Sequence, residues 1–183
     1  MNHDWLYDFR HDARAFLSWG SQDDRVMGGE SRSRLVRGAG GAVFEGVVSL
    51  EQGGGFASVR TGTLAPPLDL SQATAVVLRA RGDGRRYKLV LRDDDGFRGP
   101  GFMAAFEAPL ETGEVVLPFE RFLPTWRGRP VPAVLDRRAV CSLGLMCSKF
   151  EPDGAVNEAF AAGPFRLEVE ALGVLPARIL SRR

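Results

Sequence analysis

The feature that most restricts the fold is a period of two in hydrophobicity that recurs along the chain. Across residues 165–175, Phe165, Leu167, Val169 and Ala171 alternate with Arg166, Glu168 and Glu170. Successive side chains of a strand project to opposite faces, so this spacing predicts a strand with one buried face and one wet face. On a helix the same residues would scatter around the axis. Val76, Leu78 and Ala80 alternate in the same way with Arg79 and Arg81, and Tyr87, Leu89 and Leu91 with Arg86, Lys88 and Arg92, on either side of a Gly82-Asp83-Gly84 turn. This reading puts Arg79, Arg81, Arg86, Lys88 and Arg92 on the wet faces of two neighbouring strands. Further strands are expected over 43–50, 55–60, 101–107, 114–117 and 140–149, with helical spacing confined to 12–17 and 120–123. So many short strands call for two packed antiparallel sheets, an all-β sandwich.

A chain of 183 residues with 44% hydrophobic and 26% charged residues can bury one sizeable core, so 1–183 reads as a single domain. Basic and acidic residues nearly cancel, at a net +1, which leaves no global field to recruit nucleic acid or an anionic membrane. Of the 24 basic residues only Lys88 and Lys149 are lysines. A GC-rich coding sequence accounts for such a skew towards Arg. The first residues lack a basic stretch followed by an apolar one, and no run approaches the ~18 apolar residues of a membrane span. The expected location is therefore cytoplasmic, peripheral to a membrane complex at most through a partner.

Catalytic constellations are scarce. His3 and His11 are the sole imidazoles and fall near an N-terminus expected to fray, which leaves no base for a Ser or Cys nucleophile. Cys141 and Cys147, on one strand, would stand about 20 Å apart, beyond disulfide reach, and share a face with Leu143 and Leu145 as core filler. Zinc spacing is missing. The run Asp93-Asp94-Asp95-Gly96 lacks the full oxygen-ligand loop of a calcium site and reads as a polar connector, while Gly38 to Gly41 leads into a strand where a phosphate loop needs a helix. No cofactor or metal is expected, and the chain reads as a non-enzyme. Its remaining catalytic option is acid–base work by Asp23, Asp24 or Glu30.

The segment Gln22-Asp23-Asp24-Arg25-Val26-Met27-Gly28-Gly29-Glu30-Ser31-Arg32-Ser33 stands apart. Paired glycines permit positive φ or close backbone approach, and Asp24 and Ser31 can bond neighbouring amides to pin a loop. The same residues, with Arg32, could instead face a partner. From Asp24 to Ser31 the segment resembles the Asp-x-Val-Met-Gly-Gly-x-Ser signature of the complex I intermediate-associated protein 30 family. Gly53 to Arg60 is similar to that family's Gly-Gly-Phe-Ala-Ser-x-Arg, Arg81 to Tyr87 to its Arg-Gly-Asp-Gly-Arg-x-Tyr, and Leu117-Pro118-Phe119 through Phe122, Pro124 and Arg127-Gly128 to a third block. Val115-Val116 departs from the family, where a Trp often precedes Leu-Pro-Phe.

The resemblance implies a jelly-roll sandwich like galactose-binding domains and an assembly, scaffolding or chaperone role for a respiratory or photosynthetic complex, with protein subunits as partners. The expected recognition residues are Asp24, Met27, Gly28, Gly29, Ser31, Arg32, Phe56, Arg60 and Trp126. Two other readings stand beside it. One is a carbohydrate-binding module stacking sugars on Trp5, Trp19, Trp126 or Phe56. The other is RNA binding through the Arg-rich strand faces, for which net charge makes no strong case.

Overall fold

The computed structural model describes residues 3–95 and 98–177. They form an antiparallel jelly-roll sandwich. Thirteen strands follow one another: β1 (Asp4–Asp8), β2 (Trp19–Ser21), β3 (Arg32–Gly38), β4 (Gly41–Val48), β5 (Phe56–Thr61), β6 (Ala73–Gly82), β7 (Arg86–Arg92), β8 (Gly101–Glu107), β9 (Gly113–Pro118), β10 (Leu123–Trp126), β11 (Arg129–Pro130), β12 (Ser142–Ser148) and β13 (Gly163–Pro176). One sheet has six strands in the order β3-β4-β13-β6-β9, with β1 also on β13; the other has seven, β11-β10-β8-β7-β12-β5-β2. The alternating residues explain the layering. Phe44, Leu78, Leu117 and Leu167 from the first sheet meet Val59, Tyr87, Leu89, Leu143 and Leu145 from the second in one apolar core. Phe44 and Phe165 lie 4.8 Å apart, ring to ring, and Tyr87 stacks near Phe106. The Tyr87 hydroxyl, buried with its ring, donates to Asp83.

The outer face of the six-stranded sheet is a ladder of neutralised charge. Glu45 accepts from Arg34 and Arg166, Glu168 from Arg166 and Arg81, and Glu114 pairs with Arg79 and His3. Cross-strand pairs of this kind contribute roughly 0.2–1 kcal/mol each.

Three expectations change. The segment from His3 onward does not fray: β1 pairs with β13, and His3 stacks on Trp5 and bonds Glu114 at 3.2 Å. The alternation of β13 slips at Glu170, where a bulge shifts the register against β6 between Val169 and Ala171. Beyond it Leu172 and Val174 join the core in place of Ala171, because one inserted residue reverses the face of everything after it. Finally, β6 and β7 belong to opposite sheets, since Gly82 to Gly84 carries the chain across the sandwich. Arg79 and Arg81 therefore stand on the far side of the molecule from Lys88 and Arg92, and the proposed joint nucleic-acid surface does not exist.

Candidate functional site

Two features emerge around β5: a buried clasp and an open cleft. The clasp is the segment that stood apart in the sequence. Asp24 opens a 3-10 turn, Asp24–Met27, which Gly28 ends at φ 89°, a left-handed conformation that glycine adopts without strain. The Asp24 carboxylate is fully buried and accepts four hydrogen bonds, from Ser31 N at 2.9 Å, Ser31 Oγ at 2.6 Å, Gly55 N at 2.7 Å and Phe56 N at 3.2 Å. A Cβ on Gly29 would overlap this carboxylate, so close approach demands glycine there. Burial alone would push the Asp24 pKa up; the bonds from Ser31, Gly55 and Phe56 outweigh it and hold the group below its usual range. Asp23 accepts in parallel from Ser33 N, Ser33 Oγ and Ser58 N.

Both carboxylates are thus spent inside the fold, tying the β2–β3 loop to the start of β5. Neither Asp24 nor Ser31 reaches the surface, so they do not present themselves to a partner, and Asp24 is held as an anion and cannot cycle as a general acid. What the clasp displays is the apolar pair Val26 and Met27, each 68% exposed.

The cleft occupies the outer face of the seven-stranded sheet, with a volume of about 710 Å³. Strand neighbours set its floor. Ser58, Met146, Lys88 and Ala105 lie side by side on β5, β12, β7 and β8, and the next row holds Arg60, Gly144, Val90 and Met103. Met27 and Phe56 line it from the β5 side, Trp126 and Arg127 from the β10–β11 turn, and Lys149 to Glu151 from the segment after β12. In that turn Arg127 and Gly128 both take positive φ, and the Arg127 guanidinium lies 5.5 Å from the centre of the Trp126 ring. Lys149 Nζ sits over the Phe150 ring and donates to Gly54 O at 2.6 Å.

The family model for complex I intermediate-associated protein 30 matches residues 7–169, which include the clasp, the cleft floor and both rims. The chain belongs to this family. Within this family member, the resemblance noted between Asp24 and Ser31 marks a folding device, and the site it braces lies next to it. Comparison with curated proteins finds no match. Among solved structures the chain is similar to the family 11 carbohydrate-binding module of the cellulase Lic26A-Cel5E of Clostridium thermocellum, at 15% identity and a TM-score of 0.65, covering 100% of this chain and 99% of that one. The Clostridium thermocellum module solved with a β-1,3-1,4-mixed-linked tetrasaccharide gives 17% identity, a TM-score of 0.62 and 96% coverage of both chains. An agarase, AgWH50C, shares the fold over 97% of this chain and 25% of its own length, at 12% identity and a TM-score of 0.60. At these identities the likeness is one of fold.

Of the residues expected from sequence, the structure brings Met27, Phe56, Arg60 and Trp126 to the cleft. Asp24, Gly28, Gly29 and Ser31 form the clasp, and Arg32 lies on β3 beside a shallow depression on the opposite sheet. Lys88 and Arg92, expected from sequence only as part of an Arg-rich nucleic-acid face, line the cleft as well, and sequence reasoning missed Met103, Thr125, Ser142 and Lys149. One signal was available: the chain's only two lysines both line the cleft.

Electrostatically the cleft differs from the rest of the family member's surface. Lys88, 6% exposed, has its pKa pushed down to about 8 by burial, against the pull of Glu151. Burial and the nearby Arg92 also lower the Arg60 pKa. The carboxylate lining the cleft among the described residues is that of Glu151, which Arg86 Nε holds at 2.6 Å. Cys147 lies in the core, its thiol pushed up to about 11 by burial, and Cys141 is buried outside that cluster with Sγ against Arg92 O. Of the acidic run, Asp93 accepts from Asp136 N and Asp94 from the amides of Arg98 and Gly99, while Gly96 lies outside the described residues. No group of three or more His, Cys, Asp or Glu among the described residues could hold a metal ion.

Proposed function

We propose that this domain is a non-catalytic binding module that holds a protein partner during assembly of a respiratory or photosynthetic membrane complex, with the cleft as its recognition surface. The family membership supports an assembly role. The observation that carries the reading is the cleft itself: about 710 Å³ open along a rigid sheet face, floored by buried polar side chains and rimmed by Met27, Phe56, Trp126 and Phe150. Such a mix of apolar walls and a few fixed polar groups is what binding pockets present, and a rigid strand floor keeps those groups in place. No helix among the described residues is long and apolar enough to cross a membrane.

Affinity capture with the tagged chain in mild detergent tests the proposal. Complex subunits should be recovered by the native sequence and reduced at least tenfold by Trp126→Ala combined with Arg60→Ala. Recovery unchanged by those substitutions, or no partner at all for a chain that is folded by circular dichroism, overturns it.

Carbohydrate binding is the second reading, favoured by Trp126, Phe56 and Phe150 around one cleft in a sandwich like that of the Clostridium thermocellum modules. Calorimetry with the mixed-linked tetrasaccharide decides it: a saturable heat abolished by Trp126→Ala supports a glycan site, and silence at millimolar sugar removes it.

A further inference from the structure

We infer that the cleft selects an acidic segment of its protein partner, an extended stretch that seats an Asp or Glu carboxylate on Lys88 Nζ with an apolar side chain beside it. The inference rests on the reading of the cleft as the recognition surface.

Lys88 is the central observation. An ammonium has three donors, yet this one, on the floor of the cleft and almost wholly buried, makes a single hydrogen bond among the described residues, to Ser148 Oγ at 3.4 Å. Its neighbours across the sheet are Met146 and Ala105. The carboxylate of Glu151 that lines the same cleft is taken by Arg86. A buried cation with so little compensation is costly unless an opposite charge arrives from outside.

The surroundings point the same way. Arg60, Arg92, Arg127 and Lys149 share the cleft with Lys88, against Glu151. This imbalance is not a habit of the chain: on the outer face of the other sheet Glu45, Glu114 and Glu168 are each ion-paired with an Arg, and the net charge of the whole protein is +1. Positive charge is concentrated in the cleft, with five basic residues to one acidic, while the paired residues of the opposite sheet are four Arg to three Glu.

Geometry selects the occupant. Along β7, Lys88, Val90 and Arg92 face the cleft at every second residue, about 6.6 Å apart. An extended segment lying along β7 has the same period, so three alternate side chains meet cation, apolar, cation. Its complement is acidic, apolar, acidic. Val90 and Met103 stand side by side on that floor and require an apolar cover, which an inorganic anion would not supply.

The probes are a ten-residue peptide centred on Glu-Thr-Val-Thr-Glu, its Gln-Thr-Val-Thr-Gln counterpart, tetragalacturonate and inorganic phosphate, each titrated calorimetrically. The proteins are the native chain, Lys88→Met, Arg92→Met and, as a control on the opposite sheet, Arg79→Met. Expected is saturable binding of the acidic peptide, weaker by about 30-fold or more for the Gln peptide and for Lys88→Met, and unaltered by Arg79→Met. Equal affinity for the two peptides, or no binding of the acidic peptide at millimolar concentration, overturns the inference. Tighter binding of tetragalacturonate with the same dependence on Lys88 overturns the peptide in favour of an acidic glycan, and phosphate matching the peptide reduces the site to a simple anion site. A partner captured equally by Lys88→Met but lost with Trp126→Ala defeats the charge assignment and leaves the cleft reading intact; one kept by both defeats the two together.

Discussion

Replacing Lys88 by Met should make this protein more stable at neutral pH, although it removes a side chain from the candidate site. Lys88 is 6% exposed, so solvent does little to screen it, and burial lowers its pKa from the 10.5 of a free lysine to about 8, with Glu151, Cys147 and Asp153 pulling upward and Arg86 downward. A lowered pKa on a base means that the folded chain disfavours the charged form. At pH 7 the group is charged in both states, and folding is weaker by roughly 3 kcal/mol than if it were neutral in both. As pH rises through 8 the folded chain releases the proton while the unfolded chain keeps it up to about 10.5, so native stability climbs across that window. By pH 9.5 about 2 kcal/mol is recovered. Met is close to Lys in volume and never titrates. Lys88→Met should therefore exceed the native chain by about 3 kcal/mol at pH 7 and by about 1 kcal/mol at pH 9.5, measured by urea unfolding with linear extrapolation and matched m-values. A variant less stable than the native chain at pH 7, or a difference that is the same at both pH values, would refute the reasoning. A gain would mean that the cleft retains a cation at the expense of stability, as binding sites commonly do.

Asp24→Asn should cost about 3 kcal/mol or more, because the amide cannot accept all four hydrogen bonds that the carboxylate takes, and buried donors left without acceptors are expensive; urea unfolding reads the loss. The lowered pKa of Asp24 contributes stability that is complete above pH 3.8 and declines as pH falls below it, so an acid titration of the native chain should show a stability loss that Asp24→Asn lacks. Gly29→Ala should destabilise by about 1–3 kcal/mol in thermal unfolding, since its Cβ forces the Asp24 carboxylate off its donors, whereas the αL turn at Gly28 tolerates Asn. Cys147, buried with a raised pKa, should react with a thiol reagent at pH 8 only as fast as the chain opens, and rapid labelling of the folded protein would contradict its place in the core.

Much of the fold was legible because period two is a local property. The alternations around Val76, Tyr87 and Phe165 placed β6, β7 and β13 correctly, and turn residues bounded them. The bulge at Glu170 was not legible, because Ala171 to Leu175 carry no polar side chain to mark which face is wet, and only pairing with β6 reveals the extra residue. Short strands such as β2 and β10 carry too few side chains to show a period and exist because longer neighbours pair with them. Part of the candidate site was visible too: Phe56, Arg60 and Trp126 lie in family-like segments, and Asp24 and Gly29 announced a constrained loop.

What sequence by itself determined is which side chains share a face of a strand wherever no bulge interrupts it, as in β6 and β7, since that depends on neighbours two positions apart. It could not say whether the polar face of β7 looks out on open water or down into a cleft. That was decided by the tertiary structure, where the β10–β11 turn, the loop held by Asp24 and the segment after β12 rise around one sheet and bury its outer side. Arg81 and Lys88 read alike in the sequence, as basic residues in alternating strands. The sandwich puts one in an ion pair with Glu168 on an exposed ladder and the other under protein walls, away from water and without a carboxylate of its own.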